Sequence, residues 1–291
     1  AQMGGELSLT YNGNSGDLSY SIVANAAYSR SKFLHSYNPR FGNSWDRYRF
    51  SGEERWSGIF WGYQVIGQFQ SQEEVNNYPV NIDGQGNTTL LPGDFIYRDV
   101  NGDGVINGYD ERPIGYNTGS PPNLYGGLGF TLAWKGFDLA ADFSFGGMYA
   151  YNRNWEARWP FQNNGNLVKD FLDRWHREDP FDLNSEWIPG KNPPLRFNDP
   201  GHSNYNKNSD WWLINIKYLR LRTLQLGYNL PTEWTEGLNM KGARVYINTY
   251  NLFSIDNLKK HASFLDPEVA DDNGLQYPQM KTLNIGVSLT F

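Results

Sequence analysis

The sequence predicts an all-β fold, an antiparallel transmembrane β-barrel wall of about seven strands with long loops at one end, on three observations. The first is the final stretch, residues 281–291, where Leu283, Ile285, Val287, Leu289 and Phe291 fall on one face of a strand and Thr282, Asn284, Gly286, Ser288 and Thr290 on the other. A soluble sheet alternates too. About eleven residues stopping on a carboxy-terminal Phe, however, match one crossing of an outer-membrane barrel, with apolar side chains to lipid and small polar ones to the lumen. The second is composition: mean hydropathy is −0.65, and no window reaches the roughly 18 apolar residues of a membrane helix. Aromatics nevertheless make up 16% and Gly numbers 31, the mixture that strands, tight turns and interfacial girdles use. The third is recurrence of the same alternation along the chain.

The elements follow in order. Glu6 to Asn12, a turn at Gly13 to Asp17, and Leu18 to Arg30 predict a hairpin in which Leu18, Tyr20, Ile22, Ala24, Ala26 and Tyr28 share a face. Leu128, Phe130, Leu132 and Trp134 lead into Lys135-Gly136, and Phe137, Leu139, Ala141, Phe143 and Phe145 lead out. Asp138, Asp142 and Ser144 take the opposite face; a carboxylate on the lipid side is costly, so Asp138 and Asp142 are assigned to the lumen and to candidate substrate contact. Leu224, Leu226, Tyr228 and Leu230 alternate with Thr223, Gln225, Gly227 and Asn229 until Pro231 ends the strand, and Ala243 to Phe253 supplies another, less cleanly patterned.

Direction along these strands places the loops. With Phe291 at the periplasmic end, Lys135-Gly136 and Pro231 to Gly242 are periplasmic turns, and residues 33–123, 148–212 and 254–280 are extracellular, so the aromatic run Ile59 to Phe69 is not a spanning strand. Seven crossings leave both terminal strands with unpaired edges, and single-chain bacterial barrels use even numbers, so the remaining wall is expected from residues beyond this sequence. The chain opens Ala1-Gln2-Met3 with no charged and apolar leader, which fits a removed signal or the later part of a longer protein. Cys is absent, so there is no disulfide framework or thiolate site, and a net charge of −6 argues against nucleic acid as partner.

Three loop features bear on chemistry. Asp99 to Asp110 fits a twelve-residue calcium loop: Asp99, Asn101 and Asp103 at positions 1, 3 and 5, Gly104 at 6, the Val105 carbonyl at 7, Asn107 at 9 and Asp110 at 12. Hard oxygens at those offsets can wrap one Ca²⁺, or Mg²⁺ in a tighter site, to pin the loop; no organic cofactor is expected. An Asp/Gly-rich turn without an ion is the competing reading. Phe95 to Arg98 before it reads as extended, not helical. Second, Trp155, Trp159, Phe161, Trp175, Trp187, Trp211 and Trp212 crowd the longest loop; Trp155, Trp159, Trp211 and Trp212 are candidate platforms for an oligosaccharide or peptide, against the alternative of loop core or girdle. Within it, Asn166 to Arg177 has helical spacing, with Leu167, Phe171, Leu172 and Trp175 on one side. Third, His35, His176, His202 and His261 make no metal spacing, no nucleophile elbow or phosphate loop is present, and Glu178, Asp179 and Glu186 beside Trp187 read as solvated acids, so no enzyme is expected.

Several motifs stand in a fixed order: Gly62-Tyr63-Gln64-Val65-Ile66-Gly67-Gln68-Phe69 running on to Glu74, Pro92-Gly93-Asp94, Asp99 to Gly104, Lys135 to Leu139, Tyr218-Leu219-Arg220-Leu221-Arg222 with Leu226 to Pro231, Asn251-Leu252-Phe253, Asp266-Pro267-Glu268, Tyr277-Pro278-Gln279 and the final Phe291. In this order, over nearly the whole chain, they resemble the carboxy-terminal part of SusC/RagA-type TonB-dependent transporters. One departure inside the matched stretch is Asn215-Ile216-Lys217, in place of an acidic or glycine-rich run before the Tyr218 segment. The resemblance implies a 22-stranded barrel in the outer membrane, nutrient uptake of glycans or peptides driven by the TonB complex, and a SusD-like surface lipoprotein as lid. It also implies a plug and TonB-contact segment, which residues 1–291 do not contain. Two other readings of the same strands and Trp residues are a passive porin- or adhesin-type barrel and a secreted carbohydrate-binding β-sandwich.

Overall fold

The computed structural model describes residues 1–35, 37, 40–118, 121–197, 199–262, 264–269, 273–274, 276–277 and 279–291, with Leu238 by its backbone alone. Pro278 of the Tyr-Pro-Gln motif, and a few positions inside the three long loops, lie outside these.

Seven long strands form one antiparallel meander, each paired with the next. They are β1 (Gln2–Ser15), β2 (Leu18–Phe33), β3 (Leu124–Trp134), β4 (Phe137–Asn152), β5 (Leu213–Asn229), β6 (Gly242–Asp256) and β7 (Thr282–Thr290). Among the described residues β1 and β7 each have a partner on one side only, so the sheet is an open wall.

Two turns show how local chemistry sets the register. Lys135 and Gly136 both have positive φ, 45° and 88°, as a two-residue hairpin with the twist of its strands demands. The first turn is tighter than Gly13 to Asp17: pairing continues to Ser15↔Leu18 and only Gly16-Asp17 turn. Gly13 is in the ladder because the Tyr20 ring lies on it; a Cβ there would come within 2.5 Å of that ring. The weaker pattern of β6 also has a cause. Register shifts between Leu221 and Thr223, opposite Asn251 with φ 51°, mark a bulge that breaks strict alternation.

The two faces sort as the alternation predicts. Leu132, Leu139, Leu226, Ile247 and Ile285 line up across five strands on the outer face, beside a row of Trp134, Phe137, Tyr228, Val245 and Val287. The matching inner row is Ala133, Asp138, Gly227, Tyr246 and Gly286. Ile285 is 76% and Val287 62% exposed, an apolar surface that water does not favour.

At the other end the loops fold into a dome. Ile59–Gly62 pairs with Arg112–Tyr116, and Val65–Gln68 with Phe95–Tyr97, so residues 59–69 are loop structure and not a crossing. Ser71 caps the helix Gln72–Asn77 through the Glu74 amide. The helical spacing of residues 166–177 is not realised. A 3-10 turn at Lys169–Leu172 gives way to a two-residue strand, His176–Arg177, paired with Trp187–Ile188. Phe171 and Trp175 are buried while Leu172 is exposed, so the apolar residues do not share one side. Trp175 instead packs on Gly93, whose φ of +90° and lack of a Cβ allow the ring to lie against the backbone.

Candidate functional site

The inner wall carries a polar ladder. Arg244 reaches across Gly227 to Asp138, Nη2 to Oδ2 2.6 Å, and a Cβ on Gly227 would collide with both groups. Asp142 accepts from Thr223 Oγ1 at 2.5 Å, and Asn284 Nδ2 donates to Asn248 Oδ1 at 2.9 Å. Asp138 and Asp142 therefore face inward as expected, but each is already engaged by a neighbouring strand.

Higher on the same face, a charged cluster joins the wall to the β6–β7 loop. Arg220 Nη2 lies 2.6 Å from Asp266 and its Nη1 3.0 Å from Glu268, while Arg222 Nη2 lies 2.6 Å from Glu268. Ser144 Oγ accepts from Arg222 Nε at 3.0 Å, and the Tyr149 hydroxyl donates to the Pro267 carbonyl. The described residues of this loop thus pack on the inner face beside β4 and β5, level with the end of β6 and the start of β7. Both partner motifs are visible in the sequence, but nothing in their spacing shows that they meet.

The dome is built on Trp212. Fully buried, it packs with Phe95, Phe171 and Tyr205, donates from Nε1 to the Asn204 carbonyl at 2.7 Å, and carries Arg153 and Arg158 over its ring at 5.2 and 5.5 Å. This corrects its assignment as a ligand platform, since no face of the indole is free. Burial holds the Arg158 guanidinium down to about 10. Trp211 and Trp159 are partly buried against the same core, and Trp155 is half exposed with its ring edge-on to Trp159 at 5.2 Å. Only Trp155 offers a substantial open surface among these four. The solvated reading of the acidic run fits: Glu178, Asp179, Asp182 and Glu186 flank a hairpin tip where Phe181 and Leu183 are 96% and 80% exposed.

Asp94 of the Pro-Gly-Asp motif ties the two large loops together. It is wholly buried, 2.7 Å from Arg196 and 3.7 Å from His202 Nε2, and accepts from Asn204 Nδ2 and the Leu91 amide, both at 2.8 Å. Burial pushes this carboxyl up against the pull of Arg196, and pushes His202 down.

The 99–110 loop is a compact turn. Asp99 accepts from the Gly102 and Gly104 amides at 2.7 and 2.8 Å, curling the loop, and Asn81 hydrogen-bonds Gly104 and Ile106, fixing it to the core. Asn101 and Asn107 turn their Nδ2 groups to Asp103 Oδ2 at 2.9 and 3.3 Å, and the Asn101 bond holds the Asp103 carboxyl below its usual range. Asp110 is buried; one oxygen accepts from the Asn107 amide as half of a capping box, and the other accepts from the Val100 amide across the loop. Among the described residues no three His, Cys, Asp or Glu side chains converge into a metal cluster. Asp99, Asn101 and Asp103 fit a cation in part; Asp110 closes the turn through backbone amides.

No family model matches the chain. Two TonB-dependent receptors of Formosa agariphila, P26 and P3, are 28% and 26% identical over 250 and 253 residues, in each case 80% of this chain and 22% of the receptor. The TonB-dependent receptor SusC of Bacteroides thetaiotaomicron is 35% identical over 85 residues, 28% of this chain and 8% of that protein. In structure, the RagAB peptide importer in its open-open state aligns over 100% of this chain and 28% of its own, at 23% identity and a TM-score of 0.61. The closed-closed state gives 22% identity, 30% of its length and a TM-score of 0.57. The chain therefore spans about a fifth of the length of the two Formosa relatives and matches the RagA barrel in fold. With the alternating wall, the inward polar ladder and the ordered motifs, these matches support the reading of the chain as similar to a portion of TonB-dependent receptors of the SusC/RagA type.

Proposed function

We propose that the complete protein is an outer-membrane importer of oligosaccharides or peptides, powered by TonB and working beneath a SusD-like lipoprotein. The observation that supports this best is the wall itself: apolar rows outside, a polar ladder inside, and two open edges that further strands of a 22-stranded barrel would pair. The dome, with Phe181 and Leu183 projecting into solvent, is the surface offered to the lid. The chain supplies binding and passage surfaces and no chemical step. Uptake of the cargo by the complete receptor is expected to stop in cells lacking TonB function, and mild-detergent purification to bring down a second, SusD-like chain. Uptake that continues unchanged without TonB would sink the pump reading in favour of a passive barrel.

The same reading includes one Ca²⁺, or Mg²⁺, in the 99–110 loop, held by Asp99, Asn101, Asp103, the Val105 carbonyl and Asn107, with Asp110 securing the turn behind them. What supports it is the spacing of oxygen donors and the way Asp99 curls the loop. Binding requires Asn101 and Asn107 to turn their amide oxygens inward, and at an extracellular module's affinity of about 10⁻⁴ to 10⁻³ M its role is to stiffen the loop. Millimolar Ca²⁺ is expected to slow proteolysis within residues 90–120, and Asp99→Asn with Asp103→Asn to abolish that protection while barrel assembly persists. Equal cleavage with and without Ca²⁺ would leave the motif a turn only.

A further inference from the structure

The outer face of the wall carries two clefts towards its short-turn end. One, of about 310 Å³, has Leu18, Leu132, Trp134 and Leu139 in its lining; the other, of about 280 Å³, has Tyr228, Val245, Ile247, Ile285 and Val287. Phe137 and Leu226 line both and are their common wall, and the Phe137 ring leans on that of Tyr228 at 4.4 Å. Asp138, also at the first cleft, turns its carboxylate inward to Arg244. Both volumes lie at the small end for ligand sites, which suits a slender aliphatic chain better than a ring system. Directly before Phe137 the chain turns at Lys135-Gly136, and the Lys135 ammonium lies 5.6 Å from the ring centroid of Trp134, a wall of the first cleft. It meets Asp17 at 3.4 Å, but with the two side chains 60% and 67% exposed such a pair holds the ammonium only weakly.

We propose that this face is a binding site for one glycerophospholipid of the surrounding bilayer, with an acyl chain in each cleft, Phe137 and Leu226 between the chains and the phosphate at Lys135. The proposal rests on the barrel reading, in which the short turns are periplasmic, so the lipid comes from the inner leaflet. Any bilayer coats an apolar face. What sets this site apart is the pairing of two clefts with one cation. Once its first chain is seated, a two-chain lipid presents the second to the other cleft at high effective concentration, whereas one-chain amphiphiles must fill the clefts separately. An indole at the membrane edge and a long Lys stem suit the boundary between chain and phosphate.

The test titrates the complete receptor, delipidated in mild detergent, with dioleoyl-phosphatidylglycerol or its one-chain lyso form, and counts bound lipid by native mass spectrometry. Val245→Trp, which fills the second cleft, is expected to remove one tightly held two-chain lipid and to cancel its advantage of about a hundredfold over the lyso form, while lyso binding in the first cleft persists. Lys135→Asn, a residue that accepts the positive φ there, should weaken the two-chain lipid about tenfold. Leu9→Trp, on the outer face of β1 level with Ala24 and outside both clefts, should change neither. Heat-modifiability reports assembly; should Val245→Trp fail it, Leu18→Trp fills the first cleft and carries the same expectation. Equal lipid counts in the native receptor and the cleft variants, or the same loss in Leu9→Trp, would mean a non-specific annulus only and overturn the proposal. Lipid binding needs neither TonB nor cargo, so that result would leave the transport reading standing, to be judged by the uptake experiment.

Discussion

Val287→Arg in the complete receptor is expected to abolish most barrel assembly, while Ser288→Arg, one residue on, assembles nearly as the native protein does. Val287 lies on the outer face in a row with Val245, Tyr228 and Phe137, and it is 62% exposed. It is near the middle of the 281–291 crossing, where an outward Arg costs roughly 2 to 4 kcal/mol. Ser288 is paired with Arg244 on the inner, wet face. A new Arg there meets a like charge, which costs roughly 0.2 to 1 kcal/mol for a cross-strand pair. The outward penalty is the larger under either limit, so the ratio of assembled, heat-modifiable protein between the two variants decides the face assignment. Equal yields would mean that the period-2 reading of β7 is wrong.

The wall was legible because its physics is local. Alternation along a strand needs only the sequence of that strand, and a one-residue slip would turn every Leu of β5 and Asp of β4 to the wrong face. The turn at Lys135-Gly136 was legible for the same reason. Where tertiary packing overrode a local signal, the reading failed. Gly13 looked like a turn residue and proved to be the seat of the Tyr20 ring, and residues 166–177 carried helical spacing but were drawn apart by the separate burial of Phe171 and Trp175. The charged cluster on the inner wall was illegible altogether: Arg220 and Asp266 are 46 residues apart, and no periodicity links them. For the candidate site, the sequence located the inward carboxylates and the oxygen-rich loop, but not that Asp138 is paired with Arg244 or that Asp110 is taken up by amides.

Trp212→Ala is expected to unfold the extracellular dome while the barrel still assembles. The indole is the largest wholly buried side chain, and truncating a buried Trp or Phe costs about 3 to 5 kcal/mol through lost transfer energy and the cavity left behind. Here the loss extends further. Arg153 and Arg158 are both nearly fully buried, and Arg158 has only Asn208 and the Lys207 carbonyl besides the ring face, with no carboxylate within ion-pair distance among the described residues. Without the indole those guanidinium groups face a void, and burial already disfavours the charge on each. The transmembrane part of the wall draws its stability from strand pairing and its lipid face, remote from this core, so heat-modifiability should persist. Protease accessibility between residues 60 and 110 should rise sharply, because Phe95 and Tyr97 share the core with Trp212. Trp155→Ala is the contrasting case: half exposed and outside the buried core, it should leave the dome resistant to protease. If Trp212→Ala leaves the dome equally resistant and only weakens binding of cargo, the indole is a ligand platform after all and the buried reading fails.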